Sequence, residues 1–224
     1  MRPTLVVLRG IRVPSYQAMF CLGVTLGVVA QNAAANAAGL SAPRVYAATF
    51  VLLPIGIAGT RVLYVLGHRH EFRGNPRQIV HRASGGMALY GGLLAIVPAS
   101  VPVLAALDVP FWRYWDVTIF LLLAAMVCTR IGCLLNGCCA GRLRRAPTQL
   151  LEAAVGAVLF VAALVLWPVL DRPGALFLVT VAGYGAARTV LQPLRAEGAR
   201  IDAMVLISLA LVVSSSAALA AIGT

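Results

Sequence analysis

Seven apolar runs of roughly twenty residues each leave this chain of 224 residues few ways to fold. At 1.5 Å of rise per residue such a run makes a helix long enough to cross about 30 Å of hydrocarbon. Within hydrocarbon every backbone amide must find its partner inside the protein, so only helices and closed barrels span it. A barrel would show alternating segments of about ten residues, and none are present. The predicted spans are Tyr16–Ala35, Val45–Leu66, Gly86–Leu107, Val117–Leu135, Leu150–Leu170, Ala175–Leu191 and Ala203–Ile222. Only 11% of the residues are charged, against about a quarter in a soluble domain, so the chain cannot cover itself with polar surface. The expectation is an all-α, polytopic integral membrane protein with about seven transmembrane helices in one bundle, forming a single transmembrane domain over residues 1–224. The first run has the basic start (Arg2, Arg9, Arg12) and alanine-rich end of a signal peptide. It is long for one, and carries a tyrosine and a glutamine, so it is read as a span.

All eighteen basic residues are arginine, against seven acids, for a net charge of +11. In a soluble protein that balance would suggest nucleic acid; here the positions of the charges decide, and no nucleic-acid partner is expected. With seven spans, the N-terminus and the second, fourth and sixth loops share one side. That side collects Arg2, Arg9, Arg12, Arg69, Arg73, Arg77, Arg82, Arg142, Arg144, Arg145, Arg195 and Arg200, whereas the other holds Arg44, Arg113 and Arg172. The positive-inside rule makes the arginine-rich side cytoplasmic, in a cell inner membrane. Most of these arginines serve as topology signals and contacts to anionic lipid.

Arg61, Arg130 and Arg188 are different, because they sit inside or at the very end of apolar runs. A guanidinium there costs several kcal/mol unless it is paired or faces a polar cavity, so each calls for a buried anion. Arg188 shares a helical face with Tyr184, Gln192 and Arg195, a polar stripe at spacings of three, four and seven. Arg130 and Asn136 are grouped on roughly one face. The following Gly137-Cys138-Cys139-Ala140-Gly141-Arg142 leaves the helix through glycines that let backbone amides approach a ligand. Gly85-Gly86 and Gly91-Gly92 flank Tyr90 and open the third span with a surface for close approach of a helix or a headgroup. All of this, with Tyr16, falls on the arginine-rich side.

These residues carry a family resemblance. Ser15-Tyr16 opens the first span, Gly59-Thr60-Arg61-Val62-Leu63-Tyr64 lies in the second, and Gly85-Gly86-Met87-Ala88-Leu89-Tyr90-Gly91-Gly92 begins the third. Arg130-Ile131-Gly132-Cys133-Leu134-Leu135-Asn136-Gly137, Gly141-Arg142, Pro147-Thr148-Gln149-Leu150-Leu151-Glu152 and Gly183-Tyr184-Gly185-Ala186-Ala187-Arg188 follow in order. The set is similar to the prolipoprotein diacylglyceryl transferases from about Ser15 to Asp202. The resemblance implies a transferase that moves a diacylglyceryl group from phosphatidylglycerol to a lipobox cysteine and releases glycerol phosphate. Such a reaction needs cationic donors around a departing phosphate and a thiolate nucleophile. The resemblance matches Arg130 and Arg188 to essential arginines, Tyr16 to an essential tyrosine, and Asn136, Gly141 and Gln149 to signature positions. Arg61, Gly86, Gly91, Gly137, Arg142, Gln192 and Arg195 complete the expected lipid-binding set. No cofactor is expected.

Against the family pattern, Tyr90 replaces a histidine, Cys133 and Cys138 replace an asparagine and a glutamate, and Gln192 replaces a glutamate. The losses remove obvious proton acceptors and, on this reading, any carboxylate partner for Arg188. Tyr90 then stands near the reacting carbon as a catalytic candidate. Taken with the charge bias, which turns the signature loops opposite to the family's orientation, they leave a paralogue with a cytosolic or inner-leaflet acceptor open. Cys133, Cys138 and Cys139 are possible reactive thiols, the latter two beside arginines that favour the thiolate. No histidine stands at ligand spacing, so no metal is expected. A noncatalytic lipid-binding scaffold or a transporter is the alternative of another class.

Overall fold

The computed structural model describes residues 4–8, 11–67, 89–137, 147–192 and 203–223. Two strands, β1 (Thr4–Leu8) and β2 (Ile11–Pro14), precede seven helices: α1 (Ser15–Ala37), α2 (Ala42–Gly67), α3 (Leu89–Ala106), α4 (Phe111–Asn136), α5 (Thr148–Leu166), α6 (Ala175–Leu191) and α7 (Ala203–Gly223). The helices follow the seven apolar runs. On length and composition α1, α2, α4 and α5 are able to cross a membrane, while the other three hold shorter apolar stretches, Gly91–Ala106, Ala175–Leu191 and Ser208–Ala218.

Three local departures have physical causes. The strands pair antiparallel, Leu8 with Ile11 and Val6 with Val13, so the chain is not wholly helical before α1. Their β-branched residues suit a pleated ladder. The fourth helix starts at Phe111 rather than Val117, because Asp116 is buried instead of marking the membrane surface. The fifth ends at Leu166 rather than Leu170, ahead of Pro168, which has no N–H to continue the ladder.

The chain forms two compact units, Met1–Ala38 with Trp112–Thr224, and Gly39–Phe111. In the first, α1 and α4 pack with their backbones in near contact. A Cβ on Gly27 would stand 2.9 Å from Leu121 Cα, and one on Gly132 would stand 3.2 Å from Tyr16 Cα. Small residues permit such an approach where packing, rather than water, drives helix association. Gln31, fully buried, donates from Nε2 to Thr118 Oγ1 at 2.8 Å across the same interface. Ile119, Phe120 and Leu123 of α4 meet Ala163 of α5 and Leu176 of α6 in a core edged by Phe160 and Trp167.

Asp116 ties α4 to the start of α6. Its Oδ2 accepts from Gly174 N–H at 2.6 Å and its Oδ1 from Phe177 N–H at 3.0 Å, answering amides that the first helical turn leaves unpaired. Gly174 has φ +87°, and a Cβ there would also stand 2.6 Å from Trp112 Cε3, so both conformation and space demand glycine. Asp116→Ala, which leaves these buried amides without their acceptor, is expected to destabilise the protein by about 1–3 kcal/mol. Thermal unfolding in detergent measures this, with Asp116→Asn losing less.

In the second unit α2 and α3 cross at glycines. A Cβ on Gly59 would stand 2.6 Å from Gly91 O. Pro54 in α2 and Pro98 and Pro102 in α3 are of the kind that neighbouring helices tolerate in membranes.

Candidate active site

Three helices of the first unit bring ionisable side chains to one point. Arg130 lies near the end of α4, Arg188 near the end of α6, and Glu152 in the second turn of α5. Since Asp116 joins the starts of α4 and α6, those two helices run the same way and end together, and α5 begins where they end.

Glu152 bridges the two arginines. Arg130 Nε donates to its Oε2 at 2.8 Å and Arg188 Nη1 to its Oε1. The side chains are 16% and 10% exposed for the arginines and 5% for the glutamate, so all three are largely buried. Breaking a buried pair of this kind costs about 3–5 kcal/mol, because the remaining charge keeps its desolvation penalty. Among the described residues two positive charges face one negative charge here. A guanidinium also offers five N–H donors in a planar fork, more than one carboxylate oxygen takes up. Among the described residues the cluster thus carries one more positive charge than negative, which suits it to a further anion.

Glu152 overturns the expectation that Arg188 lacks a carboxylate partner. It stood in the sequence only as the last residue of Pro147–Glu152, although it is the one acid in the fifth apolar run, where an acid must be paired. Gln149, buried and one turn earlier, shares its helical face. Gln192 is buried four residues beyond Arg188, as the polar stripe on α6 requires. Its Oε1 has no hydrogen-bond partner among the described residues.

Tyr16 comes to the same end of the unit, half-buried at the start of α1, with its Cα against Gly132, two residues from Arg130. Cys133 is buried one turn after Arg130. Gly137 ends α4 with φ +75°, the left-handed conformation that glycine adopts freely. Asn136, by contrast, is exposed. Six residues turn a helix by about 600°, which puts Asn136 about 120° away from Arg130 and corrects the grouping of the two on one face.

Arg61 belongs to the second unit, where its guanidinium carbon lies 5.6 Å from the centre of the Tyr64 ring. Gly91, in α3 beside Tyr90, packs on Gly59 and Leu63 of α2, so its missing side chain serves the helix crossing. Gly86, Cys138, Cys139, Gly141, Arg142 and Arg195 lie outside the described residues.

Residues 3–224 match the prolipoprotein diacylglyceryl transferase family. Three relatives are each named phosphatidylglycerol–prolipoprotein diacylglyceryl transferase. The one from Clostridium tetani is 24% identical over 221 residues, 88% of this chain and 86% of that protein. The one from Rhodopirellula baltica is 30% identical over 137 residues, 59% of this chain and 28% of that protein. The one from Chloroflexus aggregans is 27% identical over 135 residues, 60% of this chain and 43% of that protein. The matched stretch is thus less than half the length of two of these relatives and most of the third.

Proposed function

The chain belongs to the prolipoprotein diacylglyceryl transferase family, and from that membership we propose that it is a multi-pass membrane transferase acting on phosphatidylglycerol. It moves the diacylglyceryl group to the thiol of a prolipoprotein cysteine and releases glycerol phosphate. The observation that carries this reading is the pair of buried guanidiniums bridged by Glu152. Displacement at carbon with a phosphate leaving group requires preorganised cationic donors in a site shielded from water. Arg130 and Arg188 supply them, with forks that fit two phosphate oxygens at once.

In this reading Tyr16, Gln149 and Gln192 orient the headgroup from the same end of the unit. By family resemblance Asn136, Gly137, Gly141, Arg142, Arg195, Arg61 and Gly86 contribute to lipid binding and Tyr90 to catalysis. All seven helices cross the membrane in this reading, with the arginine-rich loops together on one side of it.

The test is transfer by the purified protein in phosphatidylglycerol vesicles, given a lipobox peptide. The expected product is a peptide heavier by one diacylglyceryl group, with one glycerol phosphate released for each. No consumption of phosphatidylglycerol with any acceptor would reject the transferase reading and favour a lipid-binding scaffold.

The asymmetry of twelve arginines against three favours a second reading of the acceptor. If that side is cytoplasmic, the thiol of a translocated protein is replaced by a cytosolic or inner-leaflet nucleophile. Labelling single cysteines placed in the fourth loop with a membrane-impermeant maleimide on intact cells decides the side. Labelling there would turn the site outward and remove this second reading.

A further inference from the structure

We propose that Glu152 is the proton acceptor of the transfer, held at rest between the two phosphate-binding arginines and freed by the arrival of the lipid. The inference rests on the transferase reading above. It adds a catalytic role to a residue so far described as a charge partner.

The reaction has one proton to place. A cysteine thiol attacks as its thiolate, so the S–H proton must go to an acceptor within hydrogen-bond reach of the sulfur. Each carboxylate oxygen of Glu152 is engaged by a different guanidinium, Oε2 by Arg130 and Oε1 by Arg188. These are also the donors that a headgroup phosphate claims. When they turn to the phosphate, the carboxylate keeps its place in α5 and regains lone pairs beside the ester carbon under attack. In the step itself the thiol proton passes to a Glu152 oxygen and the S–C bond forms at the glyceryl carbon bearing the phosphate. The C–O bond to phosphate breaks, and glycerol phosphate leaves as an anion gripped by Arg130 and Arg188. Charge balance follows the same course, since among the described residues two cations face one anion before the lipid binds and two afterwards.

Other described groups serve less well. Asp116, the other buried acid of this unit, lies fourteen residues along α4 from Arg130, about 21 Å along the helix axis, and is engaged by the amides of α6. Asp171 is exposed before the start of α6. A tyrosine, such as Tyr90, is not a neutral base near pH 7. The charged groups bonded to Glu152 among the described residues are Arg130 from α4 and Arg188 from α6.

The experiment compares the wild type with Glu152→Gln in the vesicle assay with a lipobox peptide, across pH. Glu152→Gln is expected to lower kcat by about a hundredfold or more, the scale for losing a general base, with the KM for phosphatidylglycerol within a few-fold of wild type. Its residual rate should climb about tenfold per pH unit toward the thiol's own pKa of roughly 8.5, because the peptide must then ionise without help. A kcat near wild type, a loss confined to KM, or a pH profile parallel to wild type would each overturn the proposal and leave Glu152 a positioning residue. If thermal unfolding shows Glu152→Gln to be unfolded, Glu152→Asp decides. It keeps the charge but withdraws the oxygens by one methylene, so kcat should fall at least about tenfold at unchanged KM, with a larger solvent deuterium isotope effect. An unchanged kcat and isotope effect would overturn the proposal. A wild type inactive on every thiol peptide would instead reject the transferase reading beneath it.

Discussion

Arg188→Ala and Arg130→Ala are each expected to lower turnover by more than about a hundredfold, the scale for removing one preorganised donor from a developing anion. The two guanidiniums approach one carboxylate from different helices, Arg130 through Nε and Arg188 through Nη1, so neither can stand in for the other. Folding should survive either single change better than loss of Glu152. Glu152 would keep one guanidinium after a single arginine is removed, whereas its own removal leaves two buried cations without the carboxylate. Turnover in phosphatidylglycerol vesicles measures the loss, with thermal unfolding run beside it. Arg188→Lys restores the charge without the planar fork and should recover only part of the rate. A near-normal rate in either alanine variant would remove that arginine from the site.

Gly27→Leu should prevent the first unit from closing. The first added atom alone would stand 2.8 Å from Leu121 O and 2.9 Å from Leu121 Cα. Backbone cannot swing aside as a flexible side chain does, so α1 must move off α4. Overpacking of this sort costs about 1–3 kcal/mol even where side chains can yield. The displaced interface also carries Tyr16, whose Cα rests on Gly132, so the damage reaches the active end along the whole helix. The variant is expected to express poorly or to unfold many degrees lower, and to lose transfer as well. Leu26→Ala, one residue away but 51% exposed, should change stability by no more than about 0.5 kcal/mol. Equal behaviour of the two variants in thermal unfolding would contradict the packing argument.

What could be read in advance follows from the range over which each signal acts. Hydrophobic length acts within one segment, and it matches all seven described helices with ends displaced by at most six residues, at Phe111. Helical periodicity also acts within one segment, and of the polar stripe Tyr184, Arg188, Gln192 and Arg195 that it marks, Arg188 and Gln192 are buried. Asn136 lies off the face of Arg130, because six residues do not complete whole turns. The hairpin before α1 has strands of only five and four residues, too short for alternation to stand out beside a twenty-residue apolar run.

Glu152 was missed for a different reason. It meets residues 22 positions before it and 36 after it, on two other helices. No periodicity within α5 reports those pairings. What the sequence did show was an unexplained acid in one apolar run and, among the unexplained arginines of three others, Arg130 and Arg188. Matching the buried charges across runs by sign would have joined them. The glycines around Tyr90 left open whether a helix or a headgroup comes close, and at Gly91 it is α2 that does.

On this mechanism Arg130 and Arg188 hold the phosphate of the donor lipid. A structure of the protein with phosphatidylglycerol bound tests it most directly. Phosphate oxygens are expected about 2.7–2.9 Å from both guanidiniums, with at least one Glu152 oxygen released from its arginine. A phosphate seated elsewhere, with Glu152 still holding both arginines, would contradict it.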